Sequence, residues 1–421
     1  MLSKFFRLIG LVFVSLIYIR PTLNIPIFSE IAVFLSAFCF LLFPYTGINR
    51  KFAQLVYSYI PILYLTWIYL FFYDFVDLEL FRRVSRSILD LLAGYFLYSW
   101  LVFKLNTSPK IIFITLVFSA LIQAIVMILM FASVPFYDFI KSFIAESPRF
   151  VPQERISGFQ ALGGDSLSMN QVLASILCLQ LLLNYKVNKF LYWLILLLIL
   201  ISSLLAGRTG FFIFIFLIFG YYLIMLIFTN RAIRFVRYSL LVLMLILVLK
   251  PIVVERATDF SYGYNDPFFR ALEPVRNYVL HGSFKTNTGS ALTGRFLIFP
   301  DSIDQILFGD GQFGRDGTYK LDTDIGYLRI LFGIGIIGSI IAYLPFFYVY
   351  YVCYKYQKYI YINKINHGLL ILLCVVTFGF IGHLKILYLF SGSFTFVLAI
   401  MFVDQISQTM NKINMTNFEN R

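Results

Sequence analysis

Apolar runs of about 17 to 25 residues recur from one end of this chain to the other, each long enough to cross a hydrocarbon core of about 30 Å as a helix. A backbone in lipid has to satisfy its own N–H and C=O groups, which leaves helices and closed barrels as the only spanning forms. Continuous apolar runs select helices, because barrel strands would alternate with period two. Composition agrees: of 421 residues 60% are hydrophobic and 13% charged, against about 25% charged in a soluble domain.

The expected fold is therefore all-α, a single integral membrane domain over residues 1–421 with about twelve transmembrane helices. The spans read at roughly 5–20, 26–44, 52–73, 87–103, 111–132, 167–184, 188–206, 210–228, 236–254, 326–351, 367–383 and 386–403. Lys4 and Arg7 flank the first run, and no small-residue cleavage site precedes Arg20 and Pro21, so a retained helix is expected rather than a signal peptide. With the N-terminus inside, Arg50, Lys51, Lys104, Lys110, Lys186, Lys189, Arg231 and Lys355 are among the basic residues of the inner side, and the short outer connections and helix ends hold only Arg20, Arg82, Arg83, Arg86, Arg208 and Lys385. Two outer connections are long, about 133–166 and about 255–325. The second is polar, rich in Gly and Asp and far longer than a helix hairpin needs, so function is to be sought there.

The net charge of +13 comes from basic residues scattered among helix ends instead of one aromatic-laced patch, so nucleic acid is not an expected partner. Cys39, Cys178, Cys353 and Cys374 lie inside apolar runs without ligand spacing and read as core residues. His281, His367 and His383 are far apart in sequence and divided between the two sides, so no shared metal site and no cofactor are expected.

Outer-side arginines carry the most information, because the charge bias of membrane topology works against them. Arg208 occupies the turn Gly207-Arg208-Thr209-Gly210, and Arg155 lies in Glu154-Arg155-Ile156-Ser157-Gly158-Phe159. A guanidinium fork grips phosphate oxygens bidentately and stays charged, which suits a polyanionic substrate. Snorkelling to lipid headgroups is the alternative for Arg208, and pairing with Glu154 or Asp165 the alternative for Arg155. Thr293-Gly294-Arg295-Phe296-Leu297-Ile298-Phe299 reads as a helix laid on the membrane surface. Asp324 stands just before a spanning helix whose top carries Tyr327 and Arg329. Asp90, inside a helix, is a functional suspect by default. Gly309-Asp310-Gly311-Gln312-Phe313-Gly314 and Gly333-Ile334-Gly335-Ile336-Ile337-Gly338 match the G-x-G-x-x-G pattern but lack its strand-turn-helix context; in the second, glycines in a membrane helix permit close packing.

Thr293-Gly294-Arg295, Leu307-Phe308-Gly309-Asp310-Gly311, Asp324-Ile325-Gly326-Tyr327-Leu328 and Gly335-Ile336-Ile337-Gly338 follow one another late in the chain, within a many-helix layout with a large outer loop. In this the chain resembles the Wzy-type O-antigen polymerases and the related O-antigen ligases. The ligases have a histidine followed by asparagine about where Asp324-Ile325 stands, so the resemblance favours a polymerase. It implies a bacterial inner-membrane protein with cytoplasmic termini and a periplasmic large loop. The implied reaction joins undecaprenyl-diphosphate-linked oligosaccharide repeat units into O-antigen or a related surface polysaccharide. Asp324 and Arg295 are then the expected catalytic residues, and Arg208, Arg155, Tyr327 and Arg329 the expected substrate-binding residues. Membrane lipid, a chain-length regulator and a flippase are the implied partners. A lipid-linked oligosaccharide flippase or transporter and an O-antigen ligase are the alternatives.

Overall fold

A computed structural model describes residues 2–22, 31–42, 49–72, 78–144, 156–160, 164–229, 273–283, 286, 290, 294, 297–311, 313, 323, 325–360 and 367–419. The described chain is all-helical, as the apolar runs require. Its helices are α1 (Leu2–Ile19), α2 (Ile31–Leu42), α3 (Arg50–Tyr57), α4 (Ile60–Phe72), α5 (Glu79–Ser99), α6 (Pro109–Ala132), α7 (Val134–Phe143), α8 (Asp165–Asn184), α9 (Lys189–Ala206), α10 (Arg208–Thr229), α11 (Glu273–His281), α12 (Ile303–Phe308), α13 (Gly326–Ile360), α14 (His367–His383) and α15 (Gly392–Glu419). A π-helical turn, Trp100–Lys104, extends α5, and a 3₁₀ turn, Tyr388–Phe390, leads into α15.

Among the described residues six helices are long and apolar enough to cross a membrane: α5 with its π-helical turn, α6, α8, α9, most of α13 and the first part of α15. Thr209–Gly220 and Gly368–His383 are shorter apolar helices. The span expected at 236–254 lies outside the described residues.

Several boundaries differ from expectation for local reasons. The run at 52–73 is two helices, because Pro61 has no N–H and sits in the first turn of α4, where none is needed. Helix α5 starts at Glu79, well before the apolar run, since its charged first turns find partners inside the protein. Of the surface helix expected at 293–299, residues 293, 295 and 296 lie outside the described residues, Gly294 is in a turn and 297–299 are not helical; α12 follows, capped by the Ser302 hydroxyl, which accepts from the Gln305 amide at 3.2 Å.

One large apolar core runs from Val14 on α1 to Ile406 on α15, with a smaller cluster around Met127, Ile140, Ile156 and Leu205 where the start of the first long connection folds back. Helix α5 packs along α15, α8 along α9, and α12 against α13. The four cysteines are free thiols, three of them buried and Cys374 half-buried.

The two G-x-G segments meet each other. Gly335 interrupts α13 with φ 64° and ψ −172°, a left-handed conformation that glycine adopts without the usual Cβ penalty. The interruption frees carbonyls: Phe332 accepts from the Asp310 amide at 2.7 Å and Gly333 from the Gly311 amide at 3.0 Å. A Cβ on Gly335 would overlap the Leu307 carbonyl and the Phe308 amide, so the close approach needs glycine as much as the torsion does. The Tyr69 hydroxyl of α4 donates to the Phe308 carbonyl and ties the joint to a third helix.

Candidate functional site

Helix α5 carries Glu79, Arg83, Arg86 and Asp90 at spacings of four, three and four residues, which puts all four on one face. Glu79 is shared by two arginines. Arg83 donates to Oε1 from Nε at 2.8 Å, and the Arg329 Nη2 of α13 donates to Oε2 at 2.5 Å. The Arg329 Nε also donates to the Phe313 carbonyl at 2.6 Å, so one planar fork joins α5, α13 and the segment after α12. At the other end of the stripe Asp90 is fully buried and ion-paired with Arg20, and Ser36 donates to its second oxygen at 2.8 Å. Arg20 holds φ 53° directly after α1. Gly392 leaves it room, for a Cβ there would overlap both Arg20 and Asp90.

Beneath Arg20 a polar layer links four elements. Tyr18 donates to the Asn170 carbonyl at 2.6 Å, Tyr388 donates to Asn170 Oδ1 at 3.2 Å, and Ser393 donates to the Tyr18 carbonyl at 3.1 Å. The turn after α14 closes the other side. His383 is fully buried edge-on to Tyr327 and Tyr343, and Lys385 is buried in the same turn. Gly326 opens α13 against the His383 and Ile386 carbonyls, where only hydrogen fits.

Among the described residues, Arg20, Arg83, Arg86, Arg329 and Lys385 are cations of this half of the bundle, with Arg20 paired to Asp90 and both Arg83 and Arg329 to Glu79. Protein-family models, curated proteins and solved structures give no match to the chain. The chemistry of the site therefore rests on its own residues.

Of the residues expected from sequence, Tyr327 and Arg329 are in this cluster; the Tyr327 hydroxyl donates to the Phe380 carbonyl at 2.8 Å. Arg155, Arg295 and Asp324 lie outside the described residues. Arg208 opens α10 one residue after α9 ends, in a turn held by the Gly207 amide on the Ser203 carbonyl at 3.0 Å and by the Ser168 hydroxyl on the Gly207 carbonyl; its side chain is outside the description. Arg20, Glu79 and Arg83 were not singled out as site residues. For Glu79 and Arg83 the sequence signal is the four-three-four spacing from Glu79 to Asp90, and for Arg20 its place as an arginine on the outer side. Among the described residues no group of three metal-ligating side chains converges.

A second buried carboxylate lies far from this cluster, toward the other end of the bundle. Asp404 of α15 accepts from Tyr98 at 2.7 Å, from Gln405 at 2.8 Å and from Gln408 at 3.0 Å. Tyr185, in the connection between α8 and α9, is nearby. Its hydroxyl is pushed far above its ordinary range by burial and by the Asp404 charge.

Proposed function

We propose that the chain is a membrane polysaccharide polymerase that joins undecaprenyl-diphosphate-linked oligosaccharide repeat units on the periplasmic face of a bacterial inner membrane. The observation that carries this reading is the cluster of Arg83, Arg329 and Arg20, three guanidinium groups oriented by Glu79 and Asp90 at the end of the bundle from which α13 starts. In the proposed reaction a sugar hydroxyl of one lipid-linked unit attacks the anomeric carbon of the growing glycan. The bond from that carbon to the diphosphate oxygen breaks, and the lipid diphosphate leaves with the bonding electrons. Negative charge grows on the departing diphosphate, and fixed cations in a water-poor site stabilise it, each such donor being worth roughly 100- to 1,000-fold in rate. Arg83 and Arg329 share the Glu79 carboxylate, which orients both. Asp324 is the candidate base for the acceptor proton, with Arg295, Arg155 and Arg208 as further cations for the substrate. About twelve spans, cytoplasmic termini and a periplasmic large loop complete the proposal.

A lipid-linked oligosaccharide transporter is the second reading, favoured by the interruption of α13 at Gly335, since discontinuous helices build many transporter sites. Against it, the carbonyls freed there already accept from Asp310 and Gly311. The test is the glycan profile of a host lacking the gene, read by gel and mass spectrometry. Single repeats capped on lipid A support the polymerase. Long polymer trapped on the lipid carrier identifies a ligase, repeats trapped on the cytoplasmic side a transporter, and an unchanged profile removes the assignment.

A further inference from the structure

The segment 297–308 exposes Leu297, Ile298, Phe299, Ile303, Leu307 and Phe308, six large apolar side chains within twelve residues of a connection rich in polar residues. A water-facing loop has no reason to present such a surface. Its height along the bundle is fixed, because Asp310 and Gly311 bond to Phe332 and Gly333, and Phe308 accepts from Tyr69.

That height coincides with the edge of the lipid-facing band. On α13 the exposed apolar face is Ile336, Ile340, Leu344, Phe347, Tyr351 and Tyr354. From Ile336 to Tyr354 is eighteen residues, about 27 Å at 1.5 Å per residue, which matches a hydrocarbon core of about 30 Å. Nearer the start of the helix, Leu328, Ile330, Phe332 and Ile334 are buried in protein instead. The band thus begins one residue after the interruption at Gly335, where α12 is seated. Helix α4, tied to the same joint, shows Tyr64, Trp67 and Phe71 outward.

We propose that residues 297–308 form an interfacial wedge seated in the bilayer leaflet nearest the start of α13, its apolar side chains continuing the lipid-facing surfaces of α4 and α13. The occupant of this surface is phospholipid. Asp301 and Asp304 remain at the water boundary. This inference needs only that the bundle spans a membrane, and it stands or falls independently of the polymerase reading.

The test uses the full chain with its four native cysteines replaced and one cysteine placed by Phe299→Cys, Ile303→Cys or, as the aqueous control, Asp301→Cys. Each protein is labelled with bimane and reconstituted in phosphatidylethanolamine/phosphatidylglycerol vesicles. All three positions are exposed, so folding is not at stake, and monodisperse elution checks it. Phospholipid carrying a nitroxide at acyl carbon 5 is expected to at least halve the emission at 299 and 303 and to leave 301 little changed, with aqueous iodide giving the reverse. Iodide quenching without nitroxide quenching at 299 and 303 would put the segment in water and overturn the proposal. Protection from both quenchers would mean that protein covers it, and overturns the proposal equally.

Discussion

Replacing Gly335 by alanine tests the joint between the two glycine segments. The substitution forces a Cβ into an extended positive-φ conformation that is essentially glycine's alone, at about 1–3 kcal/mol, and drives it into the Leu307 and Phe308 backbone, where overpacking adds about 1–3 kcal/mol. The obstacle is main chain and cannot turn aside as a flexible side chain would. A loss of about 3 kcal/mol falls on the docking of α12, and a difference of that size is roughly 150-fold in an opening equilibrium. Hydrogen–deuterium exchange of the protein in lipid nanodiscs reads this directly: the Asp310 and Gly311 amides, held at 2.7 and 3.0 Å from their acceptors, are expected to exchange on the order of 100-fold faster. Gly220→Ala is the reference, since nothing lies near a Cβ there and alanine favours the helix. Unchanged exchange across 303–313 in Gly335→Ala would refute the claim that this glycine holds the joint.

Other substitutions separate the roles of the buried charges. Arg20→Ala strands Asp90, fully buried, and should cost about 3–5 kcal/mol in thermal or denaturant unfolding; removing both partners should cost clearly less than the sum of the two single changes, and additive losses would argue that the pair does not interact. Arg329→Lys keeps the charge but cannot reach Glu79 and the Phe313 carbonyl together, so a loss of about 1–3 kcal/mol is expected, and on the proposed polymerase reading shorter glycan in a complemented host. Asp404→Asn turns an acceptor for three donors into a group with donors of its own, and unfolding should show a loss of about 2–3 kcal/mol; an unaltered melting curve would count against the network.

How much of this was legible in the sequence depended on the range of the interaction involved. Helices α6, α8, α9 and α14 begin and end close to where the apolar runs do, because each is a continuous run bounded by polar or turn residues. The division between α3 and α4 was present as Pro61 after the polar dip at Tyr57-Ser58-Tyr59, inside a run long enough to read as one span. For Arg329 and Tyr327 the position at the top of a spanning helix was enough to mark them. Their partners could not be read locally: Glu79 lies 250 residues from Arg329, and Phe380 lies 53 from Tyr327. Both glycine segments were visible, yet their docking against each other is a backbone contact that no side-chain pattern announces.

The polar layer under Arg20 has a consequence for how the protein is made. Tyr18 and its partner Ser393 are 375 residues apart. At synthesis rates of about 5–20 residues per second, the N-terminal helix waits roughly 20–75 s in the membrane before the last member of that layer leaves the ribosome. Arg20 need not wait so long for its own partner, because Asp90 follows it by only 70 residues. The early ion pair can hold α1 beside α5 while the rest is inserted, and the closing bond to Ser393 then completes assembly from the C-terminal end. A chain released before α15 would keep the first link and lack the last, a half-built bundle open to the cell's quality-control proteases.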